Sequence, residues 1–266
     1  MAVGLQKVCN MDLGLSGKRV LVTGASQGIG KATVLGFLDE GADLVMASRG
    51  LSKLSALADE LKQNYGNSRI IFMACDCTNE DDLASLKGLI DKKWGGIDVV
   101  VANVGDGHSV ADTIPSSSQW KKTWNSNFES ALLTARTFLS MLETSKGNLL
   151  FISSIAGMEA FGAPVDYSVA KAAIIALAKN MSRRLTDVRV NVIAPGNVYF
   201  EGGSWGKKIK QDEERVNSII QATVPMNRFA SPEEIVDSIV FLCSKRASFI
   251  TGSTLVVDGG QTVGGF

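Results

Sequence analysis

The chain has 266 residues, 45% of them hydrophobic, with 27 Gly, 5 Pro and 4 Cys, and its 27 Lys+Arg balance 27 Asp+Glu. That balance removes the electrostatic case for a general nucleic-acid binder, the apolar content excludes wholesale disorder, and no apolar run reaches the ~18 residues of a membrane span. At about 150 residues per domain, the length allows one large α/β domain or two small ones.

In chain order, residues 19–23 read as a buried strand and 28–40 as a helix, then 43–48 as strand and 51–64 as helix. Residues 70–75 form the third predicted strand, and Thr78-Asn79-Glu80-Asp81 opens the next helix like a capping box. The fourth strand is 97–102, followed by helical stretches near 118–128 and 129–143; the fifth is 148–153, with a helix over 166–185, and the sixth is 188–194. Ser231-Pro232-Glu233-Glu234 is a helix start, with a capping Ser, Pro in the first turn and acid at the positive end of the dipole. Residues 254–257 close as a seventh strand.

The strands are Val/Ile/Leu-rich and nearly non-alternating, as both-face burial requires. Strand–helix alternation with long crossovers implies α/β architecture: a seven-stranded parallel sheet, doubly wound, with helices on both faces. One domain over 1–266 is expected, with 1–15 as an N-terminal extension. The irregular stretch 196–224, beyond the sixth strand's carboxyl end, is expected to form a mobile substrate lid. The amino end lacks a signal-peptide pattern, so the expected location is cytoplasmic, with neither membrane nor nucleic acid as partner.

Cys9, Cys75, Cys77 and Cys243 are too scattered for a disulfide framework. Cys75 and Cys77 read as reduced structural thiols on one face of a strand. His108 is the only histidine, so no His-based metal site or Ser–His–Asp triad is expected, and no metal is assigned.

Thr23-Gly24-Ala25-Ser26-Gln27-Gly28-Ile29-Gly30 joins the first strand to the first helix. Glycines there let the backbone approach a pyrophosphate, which the helix amino end then binds; tight packing alone is the alternative. Ser48-Arg49 ends the second strand without an acid, so Arg49 is expected on the extra phosphate of NADP unless it is simply solvated. Asp76 is placed to accept from the adenine amino group, or to cap a loop.

Tyr167-Ser168-Val169-Ala170-Lys171 sets a phenol and an ammonium at i and i+4, on one helix face. Such an ammonium, with a cationic nicotinamide, is expected to pull the tyrosine's pKa down and fit it for acid–base work. Ser154 lies at the end of the fifth strand, thirteen positions earlier. With Asn103, Gly105, Asn127, Pro195-Gly196 and the closing Ile250-Thr251-Gly252 and Asp258-Gly259-Gly260, the chain resembles the short-chain dehydrogenase/reductase family over about residues 16–260.

The resemblance implies a Rossmann domain and an oxidoreductase that moves a hydride between NADP(H), less readily NAD(H), and a ketone or secondary alcohol. Tyr167 would be the acid/base, Lys171 would hold the nicotinamide ribose, Ser154 would polarise the carbonyl and Asn127 would anchor a water. Cofactor contacts would come from Gly24, Ser26, Gln27, Gly28, Ile29, Gly30, Ser48, Arg49, Asp76, Asn103, Gly105, Tyr167, Lys171, Pro195, Gly196 and Val198. Two departures stand out: Ala102-Asn103-Val104-Gly105 where the family usually has two Asn and an Ala, and no Thr after Pro195-Gly196. Nicotinamide anchoring then falls to Val198 backbone groups.

The overall look is similar to 3-oxoacyl-[acyl-carrier-protein] reductases; a sugar, polyol or steroid alcohol dehydrogenase is the alternative within the same chemistry. An NADP-binding sensor is the alternative from another class, and the complete Asn127, Ser154, Tyr167 and Lys171 set argues against it. Expected pocket walls are His108, Met158, Phe161, Tyr199, Phe200 and Trp205. Apolar residues on more than one side of 129–143 and 166–185 suggest burial between subunits, and the resemblance implies a homotetramer or homodimer.

Overall fold

The apolar runs form strands β1 (Arg19–Thr23), β2 (Asp43–Ser48), β3 (Ile70–Ala74), β4 (Val99–Ala102), β5 (Asn148–Ile152), β6 (Arg189–Pro195) and β7 (Thr254–Val257). The computed structural model describes residues 12–264 except 108, so Cys9, His108 and most of the expected extension lie outside the described residues. All strand pairs are parallel, in the order β3-β2-β1-β4-β5-β6-β7. That is the doubly wound, seven-stranded sheet expected.

Two cores explain why the strands do not alternate. Val20 and Val22 of β1 face one cluster with Phe37 of helix α1 (Gly28–Asp39), Leu54 of α2 (Leu51–Tyr65) and Ile239 of α9 (Pro232–Cys243). Leu21 faces the other, with Leu86 of α3 (Glu80–Trp94), Phe138 of α5 (Ser130–Ser145) and Ile174 of α6 (Val165–Ser182). The three central side chains of β1, Val20, Leu21 and Val22, are thus all apolar because each face of the sheet is covered. Leu15, at the end of the expected extension, is 2% exposed and joins the first core.

Helix ends follow local chemistry, with one correction. The cap of α3 is Asn79, whose Oδ1 accepts from the amides of Asp81 (2.8 Å) and Asp82 (3.2 Å), not Thr78. Thr78 instead gives its hydroxyl to Asp76. Acids in the first turn, lysines in the last and left-handed Gly95 (φ 67°) complete α3. At α9, Glu234 reaches back to the Ser231 amide at 2.9 Å, as the sequence predicts.

Three further differences matter. β3 ends at Ala74, so Cys75 and Cys77 follow the strand rather than share its face; both are buried, unbridged, and hydrogen-bonded to each other. The two helical stretches after β4 join: α4 (Ser117–Trp124) runs into α5 through a π-turn, Asn125–Glu129, of the kind that recurs at functional sites. The stretch expected to be irregular holds two helices, α7 (Ser204–Gln211) and α8 (Glu213–Thr223), because Asp212 caps the second through the Arg215 amide. No helix among the described residues is long and apolar enough to cross a membrane.

Candidate active site

At the carboxyl end of the sheet, β5 and α6 bring three of the predicted residues together. Ser154 stands two residues past the end of β5, its hydroxyl beside the Tyr167 phenol, whose pKa it lowers. Ser154 also accepts from the Ala156 amide at 3.2 Å, which fixes its rotamer. Lys171 is 3% exposed, its Nζ donates to the Ile152 carbonyl at 3.1 Å and stands 5.7 Å from the Tyr167 ring centre. The π-turn aims Asn127, fully buried, at the β4–α4 connection: its Oδ1 accepts from Asp106 N–H and its Nδ2 donates to Asp106 C=O, both at 3.0 Å. Gly105 lies between them, where a Cβ would stand 2.9 Å from Lys171 Nζ and 3.1 Å from Asn127 Oδ1.

Burial dominates the electrostatics of these groups. Burial raises the Tyr167 phenol above its ordinary pKa, the Ser154 bond opposes that, and the Asp106 carboxylate adds to it. Burial likewise lowers Lys171 from 10.5 to about 8. In the protein without cofactor burial thus dominates at the phenol, whereas the lowering expected from the sequence also involves a cationic nicotinamide.

Around the first βα turn the residues fit a dinucleotide's phosphates. Gly24 (φ 66°) and Gly28 (φ 55°) adopt left-handed backbone, and a Cβ on Gly30 would collide with the Gly24 carbonyl. Gln27 caps α1 without a side-chain bond and the first turn carries no acid, so the Ile29 and Gly30 end of the helix keeps its positive character for an anion, with Ser26 beside it. Asn103 ties β4 to β1 through Thr23 O (3.0 Å) and Gly24 O (3.3 Å).

At the end of β2, Ser48 Oγ is buried without a hydrogen-bond partner, an orphan that a ligand hydroxyl or phosphate satisfies. Burial raises the Asp76 carboxyl, yet bonds from the Thr78 amide and hydroxyl and the charge of Arg49 outweigh it and hold it below the usual range. Asp76 thus caps its loop through Oδ1, beside Arg49.

Beyond β6, Gly196 has a packing reason of its own, since a Cβ there would stand 2.7 Å from that of Asp258. Val198 pairs with Ala230 through the Asn197 carbonyl and the Tyr199 amide, which turns its own N–H and C=O to the opposite side. Phe200 is not simply a pocket wall: its ring lies on Gly28 and Gly203. Tyr199 and Trp205 pack on Phe229, with ring centres 6.0 and 5.3 Å apart. Sequence reasoning missed Asp166, which precedes Tyr167, and the Ser109 and Thr123 hydroxyls that bond to it. It also missed Glu159, whose carboxylate accepts from the Val263 and Gly264 amides. No motif or periodicity signals these bonds. A cavity of about 620 Å³ lined by Arg19, Lys87, Asp91 and Ser140 lies at the other end of the sheet, away from these residues.

A family model described as enoyl-(acyl carrier protein) reductase matches residues 24–262. The 3-oxoacyl-[acyl-carrier-protein] reductase of Vibrio cholerae is 31% identical over 252 residues, covering 94% of this chain and 99% of that protein. Glucose 1-dehydrogenase of Gluconobacter oxydans is 33% identical over 261 residues, covering 94% of each. The crystal structure of L-sorbose reductase from Gluconobacter frateurii, complexed with NADPH and L-sorbose, matches with a TM-score of 0.89 at 31% identity, over 95% of this chain and 100% of that one. The chain belongs to the short-chain dehydrogenase/reductase family.

Proposed function

We propose that this short-chain dehydrogenase/reductase is an NADP(H)-dependent carbonyl reductase, acting reversibly on a ketone and its secondary alcohol. The observation that carries the reading is the placing of Ser154 beside the buried Tyr167 phenol, with Lys171 buried one helical turn on, 5.7 Å from the Tyr167 ring centre. NADPH, when bound, supplies the hydride to the carbonyl carbon. Ser154 orients the substrate oxygen, and Tyr167 delivers its phenolic proton to that oxygen as negative charge develops there. A phenol raised above its ordinary pKa is protonated at neutral pH, which suits the reductive direction. Lys171 holds the nicotinamide ribose, and Asn127 fixes the connection beside it.

Arg49, Ser48 and the lack of an acid at the end of β2 support NADP(H) over NAD(H), as does the NADPH in the L-sorbose reductase structure. A polyhydroxylated carbonyl is the second reading, supported by the likeness to L-sorbose reductase and glucose 1-dehydrogenase. Exposed Val165 and Val169 on α6 support a homodimer or homotetramer. The deciding experiment mixes the protein with NADPH and a panel of simple ketones, ketoses and 3-oxoacyl thioesters while following nicotinamide absorbance. Oxidation of NADPH that depends on a carbonyl supports the reading; NADPH binding with no turnover across the panel supports a sensor instead.

A further inference from the structure

Asp166 directly precedes Tyr167 on α6 and is 1% exposed. A buried carboxylate is costly unless donors surround it. Here they are neutral: the Ser109 hydroxyl at 2.7 and 2.6 Å from the two oxygens, the Tyr167 amide at 2.9 Å, and the Thr123 hydroxyl. Burial pushes the carboxyl up, but these bonds outweigh it and hold it below the ordinary range. Its place in the first turn, at the positive end of α6, acts in the same direction.

Helix capping accounts for only one of these bonds. Pro164 begins α6 without a side-chain cap, and Asp166 takes over by accepting from the Tyr167 amide. The hydroxyls come from elsewhere: Ser109 from the β4–α4 connection, Thr123 from α4. Gln119 Nε2 spans both, 3.4 Å from Ser109 Oγ and 3.0 Å from Thr123 Oγ1. Asn127 pins the same connection at Asp106 and also donates to the Thr123 carbonyl at 3.0 Å. The stretch held at these two points lies between the reacting groups and the lid. Gly105 touches Lys171, Asp106 acts on the Tyr167 phenol, and a Cβ on Gly107 would meet Ser204 Oγ of α7 at 3.9 Å.

We propose that Asp166 and Ser109 form a latch that fixes this connection as the substrate-side wall beside Tyr167. Asp166 is thereby a positioning residue that sets affinity for the carbonyl substrate and leaves proton transfer to Tyr167. The kinetic half of this proposal rests on the carbonyl-reductase reading; the structural half does not. Removing the Ser109 hydroxyl frees the wall but keeps the Asp166 bond to the Tyr167 amide, so substrate binding and chemistry separate.

The test uses Ser109→Ala, Ser109→Thr, Asp166→Asn and the Ser109→Ala/Asp166→Asn pair in the full chain. Hydrogen exchange is expected to quicken about tenfold at the Gly105–Gly107 amides in Ser109→Ala, with the α6 interior unchanged. The carbonyl KM is expected to rise about tenfold with kcat and NADPH affinity within about twofold, and Ser109→Thr to restore it. The pair is expected to be no worse than the poorer single variant, because both substitutions act on the one Ser109–Asp166 contact. Unchanged exchange in Ser109→Ala overturns the latch, whatever the activity and even where Asp166→Asn fails to fold. Faster exchange with an unchanged KM, or losses that add, overturns the positioning role. A wild-type protein that reduces no carbonyl sinks the reductase reading and the kinetic half with it, while exchange still decides the latch.

Discussion

The Phe200 ring rests on Gly28: a Cβ built on that glycine would stand 2.7 Å from the ring's Cζ. The opposite contact is with Gly203, whose Cβ would stand 2.9 Å from the same atom. An aromatic side chain from the segment after β6 thus lies against the glycine turn between β1 and α1. A cofactor phosphate bound at this turn is expected to compete with the ring for the surface. Phe200→Thr is expected to tighten NADPH binding about fivefold, the equivalent of ~1 kcal/mol of displaced contact. Quenching of NADPH fluorescence measures it, and weaker binding would show that the ring supports the cofactor instead.

Tyr167→Phe keeps the ring but removes the proton and the bond to Ser154. Loss of a general acid typically costs about 10²–10⁴ in rate. The expected result is a fall of that size in kcat with NADPH affinity unchanged, measured by steady-state turnover and fluorescence titration in parallel.

Arg49 is expected to read the NADP phosphate. Arg49→Ala should raise the KM for NADPH about tenfold or more and change that for NADH little, as loss of a charge-assisted phosphate contact predicts. Equal losses with both cofactors would remove the assignment.

Lys171 carries a pH signature. Burial lowers its pKa from 10.5 to about 8. Between those values the unfolded chain binds more protons than the folded one, so this group makes stability rise with pH across that window. The full shift corresponds to ~3 kcal/mol. Urea midpoints at pH 7 and 9.5 should therefore climb in the wild type relative to Lys171→Met, which lacks the group. Parallel pH dependence in the two proteins would count against it.

Asn79→Ala is expected to cost about 1 kcal/mol through loss of the α3 cap. Thr78→Ala, at the position the capping-box pattern favours, should leave α3 intact and loosen Asp76 instead. Urea denaturation of the two variants separates the alternatives.

The layout of the sheet was legible because strand and helix carry different periods of apolar residues, and both-face burial removes alternation altogether. Tyr167, Lys171 and Ser154 were legible for a related reason: i and i+4 share a helix face, and a strand's end is visible in its apolar run. The helices within 196–224 were harder to see. α7 has only Gly206 buried and α8 only Val216 and Ile220, too little apolar pattern to mark them.

Alternation of apolar segments by itself determined the parallel sheet, its two covered faces and the glycine turn at the first crossover, since each rests on chemistry within a few neighbouring residues. Tertiary structure alone decided that Tyr167 is buried with its pKa raised, that Phe200 covers Gly28, and that Ser109 meets Asp166 across 57 positions of chain. Desolvation and neutral hydrogen bonds depend on which segments the crossovers bring together, and no local pattern of residue types records that.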